Sequence, residues 1–316
     1  VRIQAMRVGI YIEPWVQQRA GISVFTEQLV RASEASEHTF VTIGSKKMVD
    51  SIEHVEISSR RGSFLNPLRY LGMGRTDLSK FDIELLIDTR HYTTLGLFQK
   101  VKRLVIVHDI TPILFPRYHR WTSFLGQRLL LKRSLEQSDT IVTVSDTTKN
   151  DVVSRFGLAE KVVRIYPGVR DLGETVSQDE SLVPTSPYLL SVGTIEPRKN
   201  HKTLIEAFDE VASIVKDVQL IIVGDSGWKV DLAGLISNAK HSERIHYLGY
   251  VTKAQLKQLY ENARMSIYIS HYEGFGLPIV ESMKLKCPVI ASNSGAMKEV
   301  AGEAAILVDP TSKKLI

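Results

Sequence analysis

Short apolar runs rich in valine and isoleucine recur along the chain, and more polar segments separate them. Continuous runs of this kind are typical of parallel β-strands that are buried on both faces. In the first half of the chain they predict strands at 8–12, 40–43, 85–87, 104–107, 141–144 and 162–165. In the second half they predict strands at 188–192, 220–223, 245–247, 265–269, 289–291 and 305–308.

The segments between these runs carry apolar residues at helical spacing. The clearest helical pattern consists of Leu204, Ile205, Phe208, Val211, Ile214 and Val215. Strands that alternate with helices indicate an α/β fold with doubly wound parallel sheets. In such Rossmann-like folds, ligands bind at the carboxyl ends of the strands.

One polar, strand-poor stretch at 170–187 divides the chain, and its two prolines are typical of a linker. The chain has 316 residues, of which 43% are hydrophobic, and this is enough for two cores. We therefore expect an N-terminal domain at 1–170, a linker at 171–187 and a C-terminal domain at 188–316. A ligand cleft is expected between the two domains.

The composition restricts the partners and the compartment. The net charge is only +5 and basic residues are spread along the chain, so no nucleic-acid partner is predicted. The single cysteine, Cys287, excludes an intrachain disulfide, favours a reducing cytoplasm and is expected to be buried. No apolar stretch is long enough to span a bilayer, and the N-terminus lacks a signal-peptide pattern, so we expect Met6 to be the native start.

The most informative segment follows the predicted strand at 265–269. A loop holds Glu273 and the glycines that follow it, Pro278 falls in the first turn of a helix, and Glu281 lies about one turn further. Unpaired N–H groups at a helix start favour a phosphate, and ionised carboxylates suit the vicinal hydroxyls of a sugar or ribose. A glycine-rich turn with Glu281 as an ordinary solvated residue remains the alternative.

A second segment, from Ser191 to Phe208, carries two adjacent cations. Arg198 and Lys199 lie in the loop after a strand, and Asn200 is a suitable N-cap for the next helix. Cations beside a helix N-terminus can hold a diphosphate and stabilise it as a leaving group. A solvated basic loop is the alternative, but both loops follow strands of one sheet and should open at the same edge.

Two residues of the first half are candidates for the same ligand. Gly21 lies in the loop before the first helix, where backbone amides can approach phosphates, although a lone glycine is a weak signal. His108 closes the predicted strand at 104–107, where it can contact a sugar or acceptor hydroxyl or move a proton. A purely structural histidine explains this position equally well.

With these residues in place, the sequence resembles a known family. EGFGLPIVE, from Glu273 to Glu281, resembles the glutamate–seven residues–glutamate motif of retaining glycosyltransferases of family four, which have the GT-B fold. Further similar strings are VGTIEPRKN, GDSGW, YLGYVTKAQLKQLY, VSDTTKNDV, IYPGV and VIVHDITP. The resemblance covers nearly the whole chain and is most specific from 188 to 310. It implies two Rossmann-like domains facing a cleft.

The resemblance implies roles for the residues of the C-terminal half. Glu281 should hold the donor ribose, Glu273 should contact the transferred sugar, and Arg198 and Lys199 should bind phosphates. The remaining donor-binding positions implied there are Thr194, Tyr250, Val251, Gly274, Phe275, Gly276 and Leu277. Of these, Tyr250 and Val251 should lie near the base, and Leu277 near the diphosphate.

Gly21 and His108 should face this site from the first domain. The sequence also departs from the family pattern. Thr194 stands where many relatives have an arginine, so Arg198 is expected to supply that charge. Ala20 replaces a glycine that is often doubled, and relatives continue beyond Ile316 through further helices, which suggests an incomplete C-terminus.

The implied activity is that of a retaining hexosyltransferase of class EC 2.4 in bacterial surface polysaccharide synthesis. The donor is expected to be GDP-mannose or a UDP-sugar, and the acceptor a glycan or a lipid-linked glycan. No cofactor is expected, and the lack of any Asp-x-Asp argues against a metal. We expect a cytoplasmic enzyme, with the inner face of the membrane as an option.

Membrane contact would come from the basic, aromatic segment at 115–138. Slightly favoured over this is an ordinary surface helix that buries Trp121, Phe124, Leu125 and Leu131. A nicotinamide-dependent oxidoreductase would need Gly-x-Gly-x-x-Gly before the first helix, where only one glycine occurs. A non-catalytic relative that binds a nucleotide-sugar stays open as an alternative function.

Overall fold

The structure is a computed structural model, and it describes residues 5–12, 21–56, 78–89, 101–119, 121–173, 182–314 and 316. The chain divides into two compact units, Val1–Gly168 and Val169–Ile316. Each unit contains one sheet whose described strands all pair in parallel. The predicted α/β class with two doubly wound parallel sheets is therefore confirmed.

The sheet of the first unit has the strand order β3-β2-β1-β4-β5-β6-β7. Its strands, β1 to β7 in chain order, are Arg7–Tyr11, Thr39–Gly44, Glu53–Glu56, Leu85–Asp88, Lys102–Val107, Thr140–Thr143 and Val162–Arg164. The helices described in this unit, α1 to α4, are Gly21–Ser33, Thr111–Leu114, Trp121–Glu136 and Asp146–Phe156.

The sheet of the second unit has the strand order β10-β9-β8-β11-β12-β13. Its strands, β8 to β13 in chain order, are Tyr188–Val192, Gln219–Val223, Ile245–Gly249, Met265–Tyr268, Val289–Ser292 and Ile306–Val308. Its helices, α5 to α9, are His201–Ile214, Leu232–Ser237, Lys253–Asn262, Leu277–Lys284 and Gly295–Ala301. The strand order reverses between β8 and β11, and the crevice beside such a reversal is the usual ligand site of doubly wound sheets.

Both faces of the second sheet are buried, as the apolar runs predict. On one face, Leu189 and Leu220 pack against Phe208 of α5. On the other face, Leu190 packs with Tyr260 of α7. The strands therefore sit between two helical layers, and only their ends can meet a ligand.

All twelve predicted strands are present, with ends shifted by at most two residues. One strand, β3 (Glu53–Glu56), was not predicted. It lies at the edge of its sheet, pairs with β2, and buries only Val55 among its four residues. An edge strand with one buried side chain has no apolar run, so the hydrophobic pattern does not reveal it.

The helical pattern from Leu204 to Val215 extends too far. Leu204, Ile205 and Phe208 are buried, but Ile214 is 82% exposed and Val215 is 49% exposed. Helix α5 ends at Ile214, and Val215 is its C-cap. The last two apolar positions of the pattern are therefore solvent-exposed and do not belong to the core.

The helix expected within 115–138 is α3 (Trp121–Glu136). Leu131 is fully buried, together with Leu135, in the core of the first unit. The side chains of Trp121, Phe124 and Leu125 lie outside the described ones. No helix among the described residues has both the length and the apolar character to cross a bilayer.

Candidate functional site

The loops that follow β8 and β11 are joined directly by backbone and side-chain hydrogen bonds. The backbone N–H of His271 donates to the carbonyl of Arg198 at 2.8 Å. The side chain of Asn200 donates to the carbonyls of Ile269, at 3.3 Å, and Pro310, at 2.6 Å. These bonds fix the cationic turn against the loop that carries Glu273, as the shared sheet edge predicts.

Asn200 has the predicted position but not the predicted contacts. It precedes α5, but its φ of 61° is left-handed, and its side chain makes no capping hydrogen bond to the helix backbone. Its amide oxygen instead accepts a hydrogen bond from the Thr203 hydroxyl at 2.7 Å. Asn200 is therefore the N-cap of α5 as predicted, but its side chain connects three segments instead of capping the helix backbone. Asparagine tolerates the left-handed conformation better than most residues.

Arg198 and Lys199 converge on one acid. They lie in a short 3₁₀ turn, Pro197–Lys199, and both form ion pairs with Glu273. Lys199 Nζ lies 2.8 Å from Glu273 Oε1, and Arg198 Nη1 donates to Glu273 Oε2. Glu273 is only 7% exposed. The alternative of a solvated basic loop is therefore wrong.

Two further side chains complete this cluster and were not predicted. The buried carboxylate of Glu196 lies 2.5 Å from Arg198 Nη2. The hydroxyl of Tyr268, at the end of β11, accepts a hydrogen bond from Lys199 Nζ at 2.7 Å. Glu196 could have been predicted, because it lies only two residues before Arg198 in the sequence. Tyr268 could not, because the sequence indicates only a buried strand residue at this position.

The ionisation of Glu273 follows from the two cations. Burial alone would raise the pKa of Glu273, but the charges of Arg198 and Lys199 outweigh it and lower the pKa to about 2. Burial would lower the pKa of Lys199, but the carboxylate of Glu273 and the Tyr268 phenol raise it. Burial raises the pKa of Glu196, since it outweighs the attraction of Arg198 and Lys199. At neutral pH the Glu273–Lys199 pair is therefore fully charged.

Glu281 lies on α8, which begins at Leu277 with Pro278 as its second residue. Its carboxylate is 3% exposed, so the alternative of a solvated helix residue is wrong. Oε1 lies 2.5 Å from Arg170 Nε, and the hydroxyl of Tyr260 donates to Oε2 at 3.3 Å. The Arg170 and Tyr260 contacts were not predicted. Both residues are distant from Glu281 in sequence, and nothing local indicates either pairing.

The residues between the two glutamates form the loop and the start of α8. Gly274 and Gly276 are buried, and Phe275 and Leu277 are partly buried. Gly276 is the N-cap of α8, and its φ of 115° is a conformation that favours glycine.

The GDSGW loop lies directly on the cationic loop. Ile195 N–H donates to the carbonyl of Asp225 at 2.9 Å. A Cβ atom added at Gly224 would lie 2.0 Å from the carbonyl oxygen of Gly193, and Gly224 has a φ of 149°. Thr194 is partly buried within this contact. The two loops thus brace each other through their backbones.

The residues expected near the base differ in exposure. The side chain of Tyr250 is 52% exposed, whereas Val251 is 7% exposed and packs in the core with Leu256. Only the backbone of Val251 therefore remains for contact with a base. The role of both residues stays a prediction.

Gly21 and His108 belong to the first unit. Gly21 is the first residue of α1, not a loop residue, and it is exposed. His108 follows β5, and its Nε2 lies 3.2 Å from the carbonyl oxygen of Thr89. Burial lowers the pKa of His108 to about 4, so the ring is neutral at pH 7. A carbonyl oxygen only accepts, so Nε2 carries the proton and Nδ1 is an acceptor.

No group of three His, Cys, Asp or Glu side chains that could hold a metal ion occurs in the part of the chain that the structure describes. Cys287 is buried, as predicted.

Two family models together match almost the whole chain. Residues 19–171 match the model described as Glycosyltransferase Family 4. Residues 174–316 match the model described as Glycosyl transferases group 1. The change from one model to the other coincides within a few residues with the boundary between the two compact units.

Among curated relatives, O-antigen chain mannosyltransferase B of Escherichia coli is 33% identical over 221 residues, which cover 64% of this chain and 56% of that protein. O-antigen chain mannosyltransferase RfbU of Salmonella typhimurium is 29% identical over 243 residues, which cover 75% of this chain and 64% of that protein. The matched region thus spans less than two thirds of each relative.

Solved structures share the fold over nearly the whole chain. Sucrose-phosphate synthase from Thermosynechococcus elongatus superposes with a TM-score of 0.78 at 18% identity, covering 98% of this chain and 87% of that one. Anabaena HepE, in a crystal structure with UDP and glucose, gives a TM-score of 0.74 at 16% identity with the same two coverages. The predicted fold class, GT-B, is therefore confirmed.

Proposed function

We propose that this chain, which carries the two domains of a GT-B glycosyltransferase, transfers a hexose from a nucleotide diphosphate sugar to a glycan or lipid-linked acceptor. The first choice of donor is GDP-mannose, and a UDP-sugar is the second. The names of the two enterobacterial relatives support mannose and a role in surface polysaccharide synthesis. The neighbour solved with UDP and glucose supports a nucleotide-sugar donor.

The observation that carries the proposal is the meeting of Arg198, Lys199 and Glu273 at the carboxyl ends of β8 and β11. This edge is where the strand order reverses, and the start of α8 adds backbone N–H groups there. Two preorganised cations beside a helix N-terminus suit a diphosphate leaving group. A role that needed only a folded scaffold would not require burying these charges.

Arg198 and Lys199 would bind the donor phosphates while Glu273 and Glu196 hold them in position. Arginine presents five N–H donors and lysine three, so both can serve a carboxylate and a phosphate together. The partners that fix them are neighbours within the same cluster. Positioned cations stabilise the charge that develops as the sugar–phosphate bond breaks.

Glu273 is poorly suited to act as a base or nucleophile. Its pKa of about 2 and its two ion pairs make the carboxylate a weak proton acceptor. This supports a retaining reaction in which the acceptor oxygen attacks the anomeric carbon on the leaving-group side. The carbon–oxygen bond to the diphosphate breaks, and a donor phosphate oxygen takes the proton of the acceptor hydroxyl. Glu273 then orients the sugar through hydrogen bonds.

His108 would contribute from the first unit. Its Nδ1 is an acceptor because Nε2 faces the carbonyl of Thr89, and its ring is neutral because of burial. An acceptor nitrogen of this kind can orient a hydroxyl of the sugar or of the acceptor without adding charge. We propose this role for His108, and a backbone contact to phosphate for Gly21.

The reaction would take place in the cytoplasm, at the inner face of the membrane when the acceptor is lipid-linked. The lipid-linked acceptor would then bring the enzyme to the membrane.

Donor turnover by the full chain tests the proposal. GDP-mannose, UDP-glucose and UDP-N-acetylglucosamine are incubated with enzyme in EDTA, and nucleotide release is measured with and without acceptor glycans. We expect one donor to be consumed without added metal, and Glu273→Gln to lower kcat about 100-fold or more. Glu206→Gln is the matched control. Glu206 is an exposed acid on α5, and its Oε1 lies 4.0 Å from Lys202 Nζ.

Turnover of none of these donors by the wild type, or equal turnover by Glu273→Gln, would contradict the proposed catalytic function. Nucleotide binding without turnover would favour the non-catalytic alternative. Turnover that requires Mg²⁺ or Mn²⁺ would contradict charge stabilisation by Arg198 and Lys199 alone.

A further inference from the structure

Residues 170–173 are fixed to the second unit by several independent contacts. The side chain of Leu172 is buried with Tyr260 in the core. Lys257 Nζ donates to the carbonyl of Gly173 at 3.0 Å, and Lys284 Nζ donates to the carbonyl of Arg170 at 3.5 Å. These anchors hold the backbone of Arg170 beside α8, so its side chain reaches Glu281 from a fixed origin.

The Arg170 guanidinium and Glu281 form a buried ion pair. Arg170 Nε lies 2.5 Å from Glu281 Oε1, and the two side chains are 17% and 3% exposed. Without its cation such a carboxylate would move towards solvent, because an unpaired buried charge is strongly unfavourable. Arg170 therefore holds the Glu281 carboxylate in place.

The same contacts leave Glu281 able to bind a diol. A carboxylate has about four acceptor positions, two on each oxygen. In the described contacts the Arg170 guanidinium forms an ion pair with Oε1, and the Tyr260 hydroxyl occupies one acceptor position on Oε2 at 3.3 Å. Each oxygen can thus accept one more hydrogen bond, which matches two neighbouring hydroxyl groups.

We propose that Arg170 is a positioning residue for the nucleotide ribose, which holds the Glu281 carboxylate in the orientation in which its two oxygens accept the 2′- and 3′-hydroxyls. This inference rests on the proposed function and deepens it. Arg170 itself need not touch the nucleotide. Loss of Arg170 should therefore weaken mainly the binding energy of the ribose hydroxyls. Loss of a merely structural ion pair would weaken the binding of all nucleotides equally.

Calorimetric titration with nucleoside diphosphates tests this role. The probes are whichever of GDP and UDP binds the wild type more tightly, and its 2′-deoxy counterpart. We expect the wild type to bind the deoxy form about 10-fold more weakly or worse, because a hydrogen bond to a charged group is lost. Arg170→Gln should reduce this ratio to about threefold or less. Lys202→Gln is the control, because it removes an exposed cation on α5 that pairs with Glu206, and it should keep the wild-type ratio.

Each outcome decides the matter. If Arg170→Gln binds both nucleotides more weakly but keeps the wild-type ratio of ribose to 2′-deoxy affinity, Arg170 has only a structural role and the proposal is overturned. Equal affinities of the wild type for the ribo and 2′-deoxy nucleotides would also overturn it, but they would not contradict the proposed sugar transfer. If Arg170→Gln does not fold, Arg170→Lys decides, because it keeps the charge but lacks the planar fork. A clearly reduced ratio then supports the proposal and an unchanged one overturns it. Failure of the wild type to bind either nucleotide would contradict the proposed function itself.

Discussion

At the scale of single residues, Glu273 has an environment that decides what it can do. Burial opposes its charge, but two cations in direct contact reverse that effect. A carboxylate held in this way can orient hydroxyls, and it cannot serve as a proton shuttle at neutral pH. The sequence indicated that Glu273 and the cations share one edge of the sheet, but not that they neutralise one another.

The lowered pKa of Glu273 predicts how stability depends on pH. The pKa falls from 4.5 to about 2 on folding, so the stabilisation is complete above 4.5 and is lost as the pH falls towards 2. The free energy of unfolding of the wild type should exceed that of Glu273→Gln at pH 7, and this difference should narrow by roughly 2 kcal/mol by pH 3. Urea unfolding at pH 7, 5, 4 and 3 measures the narrowing.

The same series on Glu206→Gln provides the control, since this exposed acid should show no comparable gap. A difference between wild type and Glu273→Gln that stays constant from pH 7 to pH 3 would contradict the ion-paired state of Glu273.

At the scale of elements, the sequence predicted the strands well and the side-chain partners poorly. Buried parallel strands need continuous apolar runs, so all twelve were visible. The edge strand β3 has one buried residue and left no such trace. Arg170 and Glu281 are separated by more than a hundred residues, and no local pattern connects them. Asn200 was found at the right position with the wrong contacts, because tertiary acceptors compete with its own helix.

The bracing of the two loops after β8 and β9 gives a prediction at this scale. A side chain at Gly224 would collide with the backbone of Gly193, and backbone cannot move aside as a flexible side chain can. Gly224→Ala should therefore lower the free energy of unfolding by about 3 kcal/mol or more. Gly157→Ala is the matched control, because Gly157 has a left-handed helical backbone with a φ of 70° and no described atom lies within 4 Å of an added Cβ. Its cost should be about 1 kcal/mol. Equal costs in urea unfolding would contradict the close loop contact.

At the scale of the molecule, most predicted donor residues belong to the second unit, and only Gly21 and His108 belong to the first. The alternation of strands and helices was sufficient to predict two doubly wound domains, and the structural neighbours share that fold. The identity of the sugar could not be predicted, because the specificity of a pocket depends on the placement of a few polar groups. The two glutamates, by contrast, predict a donor site through the resemblance of EGFGLPIVE to a family motif, and not through their spacing alone.

The central claim is that Arg198, Lys199, Glu273 and Glu281 surround one sugar diphosphate. The most direct measurement is a crystal structure of the full chain with GDP or UDP, whichever binds more tightly. We expect phosphate oxygens within about 3.2 Å of the nitrogens of Arg198 and Lys199, and ribose hydroxyls that donate hydrogen bonds to the Glu281 carboxylate. A nucleotide bound elsewhere, with Arg198 and Lys199 still in contact only with Glu273 and its neighbours, would contradict it.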